Sequence, residues 1–241
     1  MARSTDPVRA DVRSRALVVD TDPARVGAIV HALGEAGFES VTAYRGSVAL
    51  ERASSEPVDV AIVGDLPDVA ADELIPRLIG RTRIPILAVA SRSDEASVVA
   101  LLDAGADDVI GATSRPLELV ARVRTLLRRG HASAVMPTTP LPDGLRVDPA
   151  RHLASVFGRP LGLTPTELEL LAVIASRRGD VVDHRTLLRA VWPDRPDADP
   201  DLLRTHLMHV NAKLVAVGHP GLRNVRSTGY ALRVAGTDAL G

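Results

Sequence analysis

The chain has 241 residues, no cysteine and a formal net charge of −1 at pH 7. That length implies two domains, each able to bury a core, and the missing thiols exclude disulfides, thiolate metal sites and cysteine nucleophiles. No apolar run approaches the ~20 residues of a membrane span, and the opening residues 1–7 lack the apolar core of a signal peptide, so a cytoplasmic protein is expected.

The charge is unevenly divided. Residues 1–135 carry a net −3 and residues 136–241 a net +2, with arginine supplying all but one of the basic side chains. A net of +2 is thin for a nucleic-acid binder, and an ordinary mixed surface fits it equally well.

In chain order, residues 1–14 are polar and aperiodic and predict a disordered arm. Short apolar runs then alternate with amphipathic segments. Strands are predicted at 16–19, 40–43, 58–63, 84–89 and 108–110, and helices at 23–35, 47–54, 71–80, 95–104 and 116–128. Interleaving of this kind predicts an α/β domain, a doubly wound parallel sheet covered on both faces. Such sheets place their chemistry beyond the carboxyl ends of the strands. Those ends read Asp20-Thr-Asp22, Gly64-Asp65-Leu-Pro67, Ala90-Ser91 and Gly111-Ala112-Thr113, with Gly105-Ala-Asp-Asp108 before the fifth strand.

This layout resembles the five-stranded, flavodoxin/CheY-like receiver domain of two-component response regulators, over residues 15–129. The resemblance implies two adjacent acids after the first strand to hold Mg²⁺, a phospho-accepting aspartate after the third, Thr or Ser after the fourth and Lys after the fifth. Matched position by position, the chain departs from that set. Asp20 fills the first acid position, but Thr21 stands at the second, Gly64 at the acceptor, Ala90 at the Thr/Ser position and Ala112 at the lysine. Asp65 follows the acceptor position one residue late, where a one-residue slip turns a side chain to the opposite face unless a bulge restores its aim. No lysine and no second metal acid would support it. No metal and no cofactor are therefore expected, and the loop carboxylates read as solvated groups or caps, Asp22 before Pro23 being a helix cap.

The same resemblance implies a symmetric dimer face on the fourth helix, fifth strand and fifth helix, matched here by Asp103, Asp107, Asp108, Glu118, Arg122 and Arg124. Val98 replaces the basic partner of Glu118. The bland reading of this set is a solvated helix surface, where exposed pairs contribute only ~0–1 kcal/mol each.

Residues 130–142 have no periodicity and three prolines and predict a linker. Beyond it, short strands are predicted at 144–147, 153–157 and 159–163. Leu163-Thr-Pro-Thr-Glu167 carries the cap, proline and N3 glutamate that start a helix running to about Ser176. A second helix begins near Asp183 or His184, and residues 194–200 form an Asp/Pro loop. In 201–214, Leu203, Leu207, Val210 and Leu214 recur at helical spacing, so one face is buried. The other carries Arg204, Thr205, Met208, His209 and Asn211, with His206 and Lys213 towards its edges. Two alternating runs over 222–233, joined at Ser227-Thr-Gly229, predict a hairpin.

The set Leu163-Thr-Pro-Thr-Glu-Leu-Glu-Leu-Leu171, Leu187-Leu-Arg-Ala-Val-Trp192, His206 and Arg226-Ser-Thr-Gly-Tyr230, in this order, resembles the α+β winged helix-turn-helix domain of OmpR/PhoB-family transcription factors over residues 143–235, leaving 236–241 as a tail. The resemblance implies a recognition helix in the major groove and a wing in an adjacent minor groove. It points to Arg226 at the hairpin tip, Arg223 and Asn224 at its start, and Trp192 and His184 against the DNA backbone; a core indole is an equally good reading of Trp192. Asp201, Met208, His209 and Asn211 stand where the family often has arginine, which implies a distinct target sequence or weak affinity rescued by dimerisation on repeated half-sites.

The leading expectation is a sequence-specific regulator of transcription and no enzyme: double-stranded DNA is its partner, a second copy pairs with it through the receiver, RNA polymerase is a further partner class, and no membrane is involved. Two alternatives remain open. In one, the receiver takes an uncharged small molecule among Asp20, Asp65, Ala90 and Ala112; in the other, the chain is a protein-interaction adaptor that no longer reads DNA.

Overall fold

In the computed structural model, residues 14–92, 94–132, 141, 143–193 and 200–233 are described. The expected arm up to residue 13, most of the linker, the loop at 194–199 and the tail lie outside them.

The apolar runs of the first half form β1 (Arg15–Val19), β2 (Glu39–Ala43), β3 (Val60–Val63), β4 (Ile86–Ala90) and β5 (Asp108–Gly111), all parallel, in the order β2-β1-β3-β4-β5. Burial on both faces explains why β3 and β4 read as continuous apolar runs, not alternating ones. The helices are α1 (Pro23–Glu35), α2 (Gly46–Ser55), α3 (Ala71–Ile79), α4 (Glu95–Asp103) and α5 (Pro116–Ala132). Leu74, Ile75, Leu78, Ala49 and Leu101 fill the core on one face of the sheet. Val26, Ile29, Leu33, Val123 and Leu126 fill the other. The expected cap holds: the Asp22 side chain accepts from the amides of Ala24 and Arg25. One boundary moves, because α5 continues to Ala132, past the predicted end at 128.

In the second half, β6 (Leu145–Asp148), β7 (Leu153–Val156) and β8 (Arg159–Pro160) form an antiparallel sheet. Next comes α6 (Pro165–Ser176), whose Thr164/Glu167 capping box is formed as the sequence predicts. A two-residue strand that the sequence reading missed, β9 (Val182–Asp183), leads into α7 (His184–Val191). Then follow α8 (Pro200–Ala216) and the hairpin of β10 (Leu222–Val225) and β11 (Gly229–Leu232), with β9 pairing to β11. This contact, rather than the turn, dictates Gly229: a Cβ there would collide with the carbonyl oxygen of Val182. The left-handed residue of the turn is Ser227, at φ 60°.

The two halves pack on each other. Leu102 of α4 lies in the core of the second domain, with Val98 and Val109 against it. Asp107, 1% exposed, accepts from the Ile86 amide of β4 through Oδ2 (2.9 Å) and from the Thr166 amide at the start of α6 through Oδ1 (2.9 Å). Arg83 adds a bond from Nη1 to the His152 carbonyl (2.8 Å).

Candidate functional site: the receiver pocket and the winged-helix surface

At the carboxyl ends of the strands the polar groups satisfy one another. Asp20 is 1% exposed and receives a two-point grip from Arg25, Nε to Oδ2 at 2.7 Å and Nη2 to Oδ1 at 2.9 Å. The Asp22 amide donates to Oδ1 as well (2.9 Å). The hydrogen bond to Asp20 raises the Arg25 pKa above its ordinary value against the desolvation that opposes it. The carboxylate of Asp20 lies over Gly64, where any Cβ would collide with Oδ2, so glycine is the residue this arrangement admits.

Thr21 turns away from Asp20 and binds the Asp65 carbonyl through both its amide (2.9 Å) and its hydroxyl (3.0 Å). The Asp65 carboxylate in turn accepts a hydrogen bond from the Ser91 hydroxyl. Ser91 follows Ala90 by one residue as Asp65 follows Gly64, and that shared offset was the sequence signal for the pair. Asp65 and Ala90 line a cleft of about 420 Å³ with Leu66, Ser91, Ala100 and Leu101. Asp20 and Ala112 do not line it, so this cleft does not gather the four residues expected around a vacated pocket.

The six side chains expected on a dimer face serve three separate purposes. Arg122 binds Asp108 (2.9 Å) and Glu118 (2.6 Å) within the receiver. Burial opposes the charge of Arg122, but the two carboxylates more than offset it and hold its pKa above the usual value. Arg124 reaches the Ala36 carbonyl (3.3 Å). Asp107 caps α6, and Asp103 stands 3.3 Å from His209 of α8.

The expected DNA-contacting residues divide in the same way. His206, expected towards an edge of the exposed face, is 1% exposed, because its position adjoins the Leu203/Leu207 stripe and its ring packs 5.8 Å from that of Trp192, itself 1% exposed. The Asn211 side chain accepts from the Leu222 amide (2.7 Å), fastening β10 to α8. Lys213 binds the buried Glu167 carboxylate (2.5 Å) and the Gly162 carbonyl (3.2 Å). His209 lies between Asp103 and Glu167, 3.8 Å from the latter. His184 is half-buried, edge-on to Tyr230 at 5.6 Å.

Open to solvent are Arg204 and Met208 on α8, half-exposed Thr205, and Arg223, Asn224 and Arg226 on the hairpin. Arg204 pairs with exposed Asp201 (3.1 Å). Burial raises the Tyr230 pKa, and the charge of Arg204 partly lowers it again. Sequence reasoning missed Arg185 and Arg189 of α7, both exposed. Their one-turn spacing opposite Leu187 and Val191 was the available signal. It also missed Ala212 and Val215, which extend the open stripe of α8 beyond Met208.

Residues 16–124 match the model of the response regulator receiver domain, and residues 158–232 that of the C-terminal domain of transcriptional regulatory proteins. The chain is 32% identical over 200 residues to the transcriptional regulatory protein KdpE of Mycobacterium tuberculosis, covering 82% of this chain and 88% of that one. It is 32% identical over 227 residues to the transcriptional regulatory protein CreB of Escherichia coli, covering 92% and 98%. The chain belongs to the OmpR/PhoB family of response regulators. Its fold is also that of a mutant of RitR, with a TM-score of 0.79 at 21% identity over 91% of this chain and 99% of that one. OmpR/PhoB proteins are DNA-binding regulators of transcription, which places the open arginines of α7, α8 and the hairpin on the surface of a winged helix.

The Mg²⁺ that a phosphorylated receiver of this family implies does not fit the residues present. Mg²⁺ requires a near-octahedral oxygen shell at about 2.0–2.1 Å. Here the buried carboxylate of Asp20 is held by a guanidinium, the neighbouring position is a threonine bound elsewhere, and the acceptor position has no side chain.

Proposed function

We propose that the chain is a sequence-specific, double-stranded-DNA-binding regulator of transcription controlled without aspartyl phosphorylation, its receiver acting as a domain that pairs with protein rather than one that accepts phosphate. The observation that carries the DNA reading is the set of exposed arginines, Arg185, Arg189, Arg204, Arg223 and Arg226, around the hairpin and the start of α8. Arginines so placed serve phosphates and a narrow minor groove, and Met208 offers apolar contact to a thymine methyl. His206, Asn211 and Lys213 act within the domain: His206 packs α8 against Trp192, Lys213 ties it to Glu167 at the start of α6, and Asn211 fastens β10.

Control follows from what the receiver covers. A major groove about 12 Å wide admits one helix of about 10–12 Å and nothing beside it. With α4 along one flank of α8, groove insertion requires the domains to part. The α4–β5 surface thus has two uses that exclude each other: covering α8 in the closed chain, and pairing with a second copy in the open one. Repeated half-sites favour the open form, because two linked contacts multiply the affinity of one.

Selection of bound DNA from a random-sequence pool, using the full-length protein at near-physiological salt, tests this reading. Tandem or inverted half-sites are expected, lost with Arg226→Ala. A pool without enrichment overturns it in favour of an adaptor role.

A further inference from the structure

We propose that the receiver is self-ligated: the Arg25 guanidinium stands in for a divalent cation at Asp20, and Thr21 and Ser91 tie down the loop of Asp65, so the pocket binds neither Mg²⁺ nor a phosphoryl group. This rests on the reading that control is independent of phosphorylation and names the residue responsible. In a phosphorylated receiver a metal ion and a phosphoryl group join the loops after β1, β3 and β4. Here those loops are joined by the chain's own side chains. Arg25 grips Asp20 at 2.7 and 2.9 Å, Thr21 holds the Asp65 carbonyl at 2.9 and 3.0 Å, and the Ser91 hydroxyl binds the Asp65 carboxylate.

The substitution is chemically apt. A guanidinium is charged at every physiological pH, and its planar fork matches a carboxylate at two points, so it supplies a permanent positive charge without a coordination shell to complete. Asp20 is 1% exposed and the Arg25 side chain 22% exposed, so a cation approaching Asp20 must first expel Arg25 from a largely dry contact. Gly64 completes the arrangement by leaving room for the carboxylate that Arg25 holds. Arg25 lies on the first turn of α1, so the same pair fastens that helix to the end of β1.

Metal affinity, not DNA binding, is the readout. Enhancement of water-proton relaxation by Mn²⁺, with Mg²⁺ competition, is measured on the native full-length chain, on Thr21→Asp/Gly64→Asp and on Thr21→Asp/Arg25→Ala/Gly64→Asp. The native chain is expected to show no saturable binding. The triple variant, with the acids restored and the guanidinium gone, is expected to bind Mn²⁺ at least about tenfold more tightly than the double variant, since an arginine beside a carboxylate disfavours a competing cation by that order. Should the Gly64→Asp chains fail to fold, Thr21→Asp and Thr21→Asp/Arg25→Ala make the same comparison with Gly64 kept. Equal affinity with and without Arg25, or saturable binding by the native chain, overturns the inference and leaves the DNA reading standing. A phosphoryl adduct on the native chain after incubation with acetyl phosphate and Mg²⁺, read by intact mass, overturns both this inference and phosphorylation-independent control.

Discussion

The receiver pocket and the winged-helix surface treat their charges in opposite ways. In the pocket, Asp20 and Arg25 are spent on each other, while exposed Asp65 takes the Ser91 hydroxyl on its carboxylate and Thr21 on its backbone carbonyl. On the hairpin, Arg223 and Arg226 are exposed, and among the described residues no carboxylate lies within ion-pair reach of either. Charge whose partners lie within the chain builds structure, whereas charge left open at the end of a rigid hairpin is available to a ligand. The same contrast runs along α8, where Lys213 and Asn211 are engaged inwardly and Arg204 and Met208 face solvent.

The sharpest way to break this contrast is to restore the acceptor. Gly64→Asp places a Cβ against the Asp20 carboxylate and a second negative charge beside it. Overpacking together with an unpaired buried charge is expected to cost about 3 kcal/mol, lowering Tm by on the order of 10 °C. An unchanged melting curve would mean that Asp20 is free to move and the pocket is not closed on itself. At the other pole, Arg226→Ala should leave the melting curve unchanged, because the side chain is exposed, while weakening DNA binding about 10- to 100-fold. Binding isotherms at two salt concentrations check it, since loss of a phosphate contact also lowers the salt slope.

The periodicity of the sequence made most of the fold legible: alternating apolar runs and amphipathic segments give the order of strands and helices, and Thr164-Pro-Thr-Glu167 marks the start of α6. Three things were not legible, for three physical reasons. Two-residue β9 exists only through its partner β11, about 47 residues away, so no local pattern announces it. Arg25 reads as an ordinary helix residue, because the five-residue step back to Asp20 crosses a loop-to-helix junction whose geometry no period describes. The contacts of Asp103 and Asp107 with the second domain depend on how two domains dock, and the spacing of charges along the chain carries no trace of that. His206 marks a smaller failure: at the margin of an apolar stripe, helical spacing leaves inside and outside nearly equal, and packing against Trp192 decides for inside.

The docking itself can be loosened in steps. Leu102→Ala removes a receiver side chain buried in the core of the DNA-binding domain. Large-to-small core changes cost about 2–5 kcal/mol, and part of that cost falls on the contact between domains. If the closed form dominates, apparent DNA affinity scales with the open fraction. The variant is therefore expected to bind DNA up to about tenfold more tightly than the native chain, an increase that titration of a selected half-site pair would reveal. No gain, with stability lowered, would show that the domains part freely already.

Asp103→Ala is the gentlest step and the most discriminating in sign. The Asp103 side chain is 50% exposed and that of His209 18%, so their contact is a partly screened surface pair worth about 0.2–1 kcal/mol. Its removal is expected to raise apparent DNA affinity only about two- to threefold. His209→Ala removes the same contact from the other side and, in addition, any contact that His209 makes to DNA once the domains have parted. If both variants bind more tightly, His209 is a clamp and nothing more. If Asp103→Ala gains affinity while His209→Ala loses it, His209 is used twice, holding the receiver in the closed chain and DNA in the open one, and the boundary between inward and outward charge on α8 shifts with the state of the molecule.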